Sequence, residues 1–481
     1  MDELAQYRRG MAAFDAFLYR GDDDPHTRAL LAVAYVLDRM PSRQAFVEAY
    51  DRASRLVLRL RQRVVDPPTP LFLPAWIVDP DFDLDHHLRF ARLPGSGSMA
   101  DLLDVVQEEV TAPLDSARPL WEALLLEGLE GGRAAVVMKM SHAITDGIGA
   151  LDLFSALIDT TRRPDKGPMP PVPVPQDVTP EELLWQELAG WPAAAWQAVR
   201  AGLERLPGSL WRAPRLRHAL GEAAGFTESL GRVLGPHGTP SPLLAGRSLR
   251  RRCAALEIPL ADFRRTAKRT GGSVNDVYLA GVAAAMRRYH EALGTPAQDL
   301  PLAIPVNLRR ADDPAAGNHF GAILLAAPVG VKDPVRRIAR VREAVRAGRA
   351  EPAIGALGAM APVLARLPAA ARRALAARSP KPDIQASNVP GPTRALYLAG
   401  ARILRSHAFG PVPGVAAMFT LQSIAGTCFI GIHYDPAAIT DGGRFARSLT
   451  LGFRETLRPG NPRPRIGPVT LGRRDDMEMT P

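Results

Sequence analysis

Met138-Lys139-Met140-Ser141-His142-Ala143-Ile144-Thr145-Asp146-Gly147 is the stretch on which the reading of this sequence turns. The apolar run from Ala134 to Met140 follows the Gly131-Gly132 turn and has the length and composition of a β-strand. With a period of two, His142 falls on the face of Met138 and Met140, and Ser141 on the opposite one. Asp146-Gly147 then supplies a turn: glycine permits a tight backbone, and the carboxylate ties the loop down through backbone or arginine contacts. An imidazole fixed at a strand end among apolar side chains suits proton acceptance near neutral pH. The same short pattern fits a satisfied core histidine before an ordinary turn, and spacing alone does not separate the two.

Around this stretch the chain alternates strand-like and helix-like patches, as α/β or α+β chains do. Leu102, Val105, Val106 and Val110 predict a helix before the strand. From Pro164 to Pro180 a proline-rich segment, including Pro170-Pro171-Val172-Pro173-Val174-Pro175, reads as an extended connector. Residues 181–222 look helical and hold Trp185, Trp191, Trp196 and Trp211, which suit either packing at a domain junction or a lipid interface. Residues 223–250 are rich in Gly, Pro and Ser and read as a mobile loop.

A second α/β portion begins near Arg252. Ser273 and Asp276 stand three apart before Leu279, Val282, Met286 and Tyr289, the pattern of a capped amphipathic helix. Strands are expected at Leu302 to Val306 and Ile323 to Val329, then a basic helix at Val335 to Arg349. Phe419 to Tyr434, broken at Ala425-Gly426, reads as a hairpin, and Phe445, Leu449 and Phe453 mark a closing helix. The polar tail reads as disordered. The division is therefore 1–163, a connector and loop region at 164–250, a second half at 251–458, and a tail at 459–481.

At 481 residues the chain exceeds one compact core, which agrees with two domains. No apolar run approaches the roughly 20 residues a membrane span needs, and the first residues lack a secretory pattern. The net charge is +10, and 55 of the 60 basic residues are arginine, whose planar fork suits phosphate groups. Zinc-finger spacing, RNP-type strands and long basic runs are missing, which disfavours nucleic acid as a partner. Cys253 and Cys428 lie far apart in apolar stretches and read as buried hydrophobes, excluding a disulfide scaffold. His86-His87 lacks the converging ligands a metal site requires, so no metal is expected. Walker loops, G-x-S-x-G elbows and H-E-x-x-H helices are also missing.

Ser141-His142-Ala143-Ile144-Thr145-Asp146-Gly147 resembles the HHxxxDG motif of the bacterial wax ester synthase/diacylglycerol acyltransferase family, whose members have the chloramphenicol acetyltransferase fold. Further blocks follow that family's order. Pro113-Leu114-Asp115 and Pro119-Leu120-Trp121-Glu122 look like its PLD and RPLWE segments, and Asn275-Asp276 like its ND motif. Pro305-Val306-Asn307-Leu308-Arg309, Ser387-Asn388-Val389-Pro390-Gly391-Pro392 and the hairpin ending at Asp435 resemble later blocks. The resemblance runs from about Met11 to Leu457. It departs at one position, where Ser141 replaces the first motif histidine.

The resemblance implies two chloramphenicol-acetyltransferase-like halves, each a mixed sheet flanked by helices, with the active site in a tunnel between them. His142 would be the general base, Asp146 and Gly147 would shape its loop, and Ser141, Asn275, Asp276 and Arg309 would support it. Of these, Asp276 is adequately explained as half of a helix cap, and Arg309 is a candidate partner for Asp146. The implied reaction transfers an acyl group from long-chain acyl-CoA, a co-substrate whose phosphates arginines would hold, to a lipid alcohol or diacylglycerol. No bound cofactor is implied. The expected location is cytoplasmic, peripheral to the inner membrane face or lipid droplets. A different acceptor, a carrier-protein donor, or a non-catalytic acyl-CoA- or lipid-binding protein are the competing readings.

Overall fold

A computed structural model of the chain describes residues 10–144, 155–189, 237–307, 320–379 and 381–473. The N-terminal part begins with α1 (Ala13–Gly21), β1 (Leu30–Leu37) and α2 (Arg43–Leu56). A hairpin of β2 (Gln62–Val65) and β3 (Ala75–Val78), one helical turn α3 (Leu84–His87) and β4 (Leu88–Arg92) follow. Then come α4 (Met99–Thr111), β5 (Trp121–Leu129), β6 (Arg133–Ser141) and the short β7 (Ile158–Asp159).

The C-terminal part opens with β8 (Arg252–Pro259), α5 (Leu260–Thr270) and α6 (Val274–Ala292). Next are β9 (Leu300–Asn307), β10 (Phe320–Ala327), α7 (Pro334–Ala350), α8 (Ala356–Leu364) and α9 (Ala369–Arg378). It closes with β11 (Ile384–Pro390), β12 (Tyr397–Leu398), β13 (Ala401–Phe409), β14 (Ala417–Ile424), β15 (Thr427–Tyr434), α10 (Gly442–Leu457) and β16 (Thr470–Leu471).

Two seven-stranded mixed sheets result, in the orders β4-β5-β6-β1-β13-β12-β7 and β10-β9-β11-β14-β15-β8-β16. The alternation in β6 explains why it is central to the first. Ala134, Val136, Met138 and Met140 enter one apolar cluster with Phe46, Tyr50 and Trp121. Ala135 and Val137 enter another with Leu102, Val106 and Phe409. A strand covered on both faces must be apolar at both parities. Lys139, which is 2% exposed, is tolerated because Glu109 and Glu122 stand 3.7 and 3.3 Å from its Nζ.

The halves are not separate blocks of sequence. β12 and β13 belong to the C-terminal half by position, yet β13 pairs antiparallel with β1 in the first sheet. β13 also lies close against β15 of the second sheet: a Cβ at Gly431 would come within 2.1 Å of the Ala408 carbonyl oxygen. Cys253 and Ala255 of β8 join the cluster under α4, and Ile424 and Phe429 join the core of the first half. The second core packs α6 and α10 tightly enough that a Cβ at Gly452 would meet Ala285 N at 2.4 Å.

Two stretches differ from what the sequence suggests. The tail after Pro459 is ordered through residue 473: β16 pairs with β8, and Asp262 accepts bonds from Asn461 Nδ2 at 2.8 Å and Arg465 N at 3.2 Å. A polar segment need not be disordered when a buried carboxylate gathers its donors. Residues 237–250, read as part of a mobile loop, are anchored, with Ser241 N on Asp383 and Ser248 N and Oγ on Asp435. The proline-rich connector has no helix or strand over residues 164–179, and Arg52 and Arg55 of α2 grip the carbonyls of Lys166, Gly167 and Pro170. Residues 180–189 are helical with Trp185 69% exposed; Trp191, Trp196 and Trp211 lie outside the described residues.

Candidate active site

β6 ends at Ser141, and His142 is the first residue of the turn that follows, so the period of two stops one residue short of the imidazole. The turn is fixed from several sides. Ser141 N donates to the Leu120 carbonyl at 3.0 Å, which gives the Pro119-Leu120-Trp121-Glu122 segment a local purpose. His142 N donates to the Ala29 carbonyl at 2.9 Å, and Ile144 N closes on the Ser141 carbonyl at 3.2 Å. Ala143 and Ile144 are buried in the cluster that contains Met138, Met140, Ile424 and Phe429.

The side chain of Ser141 is fully buried and leaves the methionine face, as alternation requires. Its hydroxyl donates to Asp22 Oδ2 at 2.5 Å and accepts from Ala143 N at 3.1 Å. Asp22 Oδ1 in turn accepts from Ala29 N at 2.7 Å. Burial pushes the Asp22 carboxyl above its ordinary pKa, and the bonds from Ser141 and Ala29 oppose that rise. Sequence reasoning misses Asp22, because Gly21-Asp22-Asp23-Asp24-Pro25 reads as an acidic surface turn and its partner is 119 residues away.

His142 is half-buried, and its Nδ1 is enclosed with no hydrogen bond among the described residues. Burial lowers the pKa of the imidazole below its ordinary value, while its own main-chain carbonyl works the other way. The ring is therefore kept neutral at pH 7, the form that can accept a proton.

The ND motif opens α6. Asp276 closes a capping box: Ser273 N donates to its Oδ2 at 2.7 Å, and Asp276 N donates to Ser273 Oγ at 3.1 Å. Asn275 Oδ1 accepts from Asn388 Nδ2 at 3.3 Å, which joins the motif to the Ser387–Pro392 block. That block is laced to the β14–β15 turn by Gly391 N to Ser423 Oγ and Ala425 N to the Pro392 carbonyl. Among the described residues neither Asn275 nor Asp276 hydrogen-bonds to His142. Asp146, Gly147 and Arg309 lie outside the described residues.

His87 of the adjacent histidine pair is a core residue. It stacks between Phe82 and Trp121, and its Nδ1 lies 2.8 Å from the Trp121 carbonyl oxygen.

With this geometry in place, likeness to known proteins becomes informative. Residues 11–278 match the wax ester synthase/diacylglycerol acyltransferase catalytic domain, and residues 316–456 match the C-terminal domain of the same family. A protein of Mycobacterium tuberculosis H37Rv, provisionally named diacylglycerol O-acyltransferase, is 42% identical over 95% of this chain and 94% of its own. Another from the same organism, named likewise, is 32% identical over 85% of this chain and 86% of its own. Among solved structures, the wax ester synthase/diacylglycerol acyltransferase of Marinobacter aquaeolei VT8 superposes with a TM-score of 0.58 at 22% identity, covering 89% of this chain and 94% of that one. The first condensation domain of the calcium-dependent antibiotic synthetase gives 0.58 at 16% identity, covering 94% and 97%. The two-sheet, chloramphenicol-acetyltransferase-like architecture expected from the sequence is the architecture found.

Proposed function

Because the chain belongs to the wax ester synthase/diacylglycerol acyltransferase family and is an O-acyltransferase, we propose that it moves a long-chain acyl group from acyl-CoA to the hydroxyl of a diacylglycerol or long-chain alcohol. The observation that carries the reading is an imidazole on a turn whose amides are held by the carbonyls of Leu120 and Ala29, just ahead of β5 and β1, and whose flanking Ser141 is bound by the Asp22 carboxylate. Donor and acceptor bind together, and His142 takes the proton of the acceptor hydroxyl as its oxygen attacks the thioester carbonyl carbon. A C–O bond forms and the carbonyl becomes an oxyanion. Its collapse breaks the C–S bond, and the imidazolium returns the proton to the departing CoA thiolate. Proton and electron pairs balance without a covalent acyl-enzyme. Asp146 and Gly147 shape the loop beyond His142, with Arg309 as a candidate partner, and Asn275 helps to shape the site.

The acceptor is nearly insoluble, so the enzyme draws it from a lipid surface. Among the described residues no helix is long and apolar enough to cross a membrane. A peripheral surface is supported by residues 352–382, which hold Arg366, Arg372, Arg373, Arg378 and Lys381 and no acidic residue. Val363, Met360 and Leu375 are exposed there, and Arg366 Nε reaches the carbonyl of exposed Leu71. Apolar insertion next to basic charge favours an anionic interface.

Thiol release from palmitoyl-CoA, measured with diacylglycerol, with hexadecanol and with neither, tests the proposal. Acceptor-dependent release with the matching ester as product is expected, in the presence of anionic vesicles. Absence of acceptor-dependent release with both lipids, or transfer only from a carrier-protein thioester, would overturn it.

A further inference from the structure

The geometry points to Asp22 as the positioning residue for His142, acting through Ser141; this rests on His142 being the base of the proposed transfer. The ladder between β1 and β6 is already complete from Leu30↔Ser141 to Leu37↔Ala134, so the sheet does not need the carboxylate. Asp22 instead binds just beyond the ladder. One oxygen takes the amide of Ala29, whose carbonyl holds His142 N, and the other takes the hydroxyl of Ser141. The same hydroxyl receives the amide of Ala143. The residues before and after the histidine are thus both referred to a single side chain at the end of α1.

Ser141 is 0% exposed and uses its hydroxyl both as donor and as acceptor. This accounts for the departure from the family pattern. Where the family has its first histidine, this chain has a small residue that passes the hold of Asp22 to the base. A base misplaced by about 1 Å can lose about a hundredfold in rate while substrate affinity is kept. Asp22 touches neither substrate nor reacting atoms in this scheme.

Kinetics of Asp22→Ala, Asp22→Asn, Ser141→Ala and the double alanine variant test the assignment, together with the rate at which diethyl pyrocarbonate labels the His142 peptide. Asp22→Ala should lower kcat by about ten- to a hundredfold with the KM for acyl-CoA within about twofold, the pattern of a lost transition-state geometry. Asp22→Asn keeps an acceptor for Ala29 and a partner for Ser141, and should recover to within about fivefold of wild type. Ser141→Ala should cost about tenfold, and the double variant should be no worse than Asp22→Ala, since the two act in series. Labelling of His142 should quicken at least about threefold in Asp22→Ala and not in Asp22→Asn. Unchanged kcat and labelling in Asp22→Ala, or strictly additive losses in the double variant, would overturn the assignment. Should Asp22→Ala not fold, Ser141→Ala with wild-type kcat and labelling would overturn it equally. If the wild-type enzyme shows no acceptor-dependent thiol release, the proposed transfer fails, and the labelling rates still decide whether Asp22 holds the histidine.

Discussion

The chain uses a serine and an aspartate in partnership at two kinds of place, and the difference between them is instructive. At the start of α6, Ser273 and Asp276 are three residues apart and exchange hydrogen bonds in a capping box; Ser98 and Asp101 do the same at the start of α4. At the end of β6, Ser141 meets Asp22 across 119 residues. The chemistry is the same, a hydroxyl and a carboxylate. The local pairs satisfy helix donors that would otherwise be unmet. The remote pair takes two amides that lie outside any helix or strand ladder, those of Ala29 and Ala143, and so frames the histidine.

Putting the same substitution at both corners should break the likeness. Ser141→Asp would press a second carboxylate against Asp22 in a buried space, where two negative charges cannot both persist. Thiol release should fall by at least about a hundredfold, with a lower melting temperature. Ser273→Asp replaces one good N-cap by another, and denaturant unfolding should show a change below about 1 kcal/mol with kcat unaltered. Equal damage at the two corners would mean that the Asp22–Ser141 pair is only another structural cap.

A smaller effect lies in the pH profile. Burial lowers the His142 pKa, so the neutral form persists to lower pH than for an exposed histidine. The acid limb of kcat/KM, which reports the free enzyme, should therefore fall below about pH 6.5, the ordinary histidine value. Asp22→Asn should leave the midpoint where it is, because Asp22 acts on position and not on the charge of the ring. A limb at or above pH 6.5 would contradict the enclosed setting of His142.

What the sequence discloses follows the same division between near and far. The apolar run from Ala134 to Met140, the cap at Ser273-Asp276 and the hairpin broken at Ala425-Gly426 are all set by residues within a few positions of one another, and each forms as expected. Such patterns report local geometry directly. The crossing of β13 into the first sheet depends on pairing between Ala408 and Val33, which no local pattern marks. The ordered tail depends on Asp262, some two hundred residues earlier in the chain. His142 was legible because its motif is short and contiguous. Asp22 was not, because only the fold brings residue 22 beside residue 141.

The central claim is that His142 is the proton acceptor of an acyl transfer, and its most direct test is thiol release from palmitoyl-CoA by wild type and His142→Ala, each with diacylglycerol or hexadecanol. The account predicts that the variant keeps the wild-type melting temperature and loses acceptor-dependent release by several orders of magnitude, since general-base assistance and correct placement are removed together. Release from His142→Ala within about tenfold of wild type, at the same acceptor concentration, would contradict it.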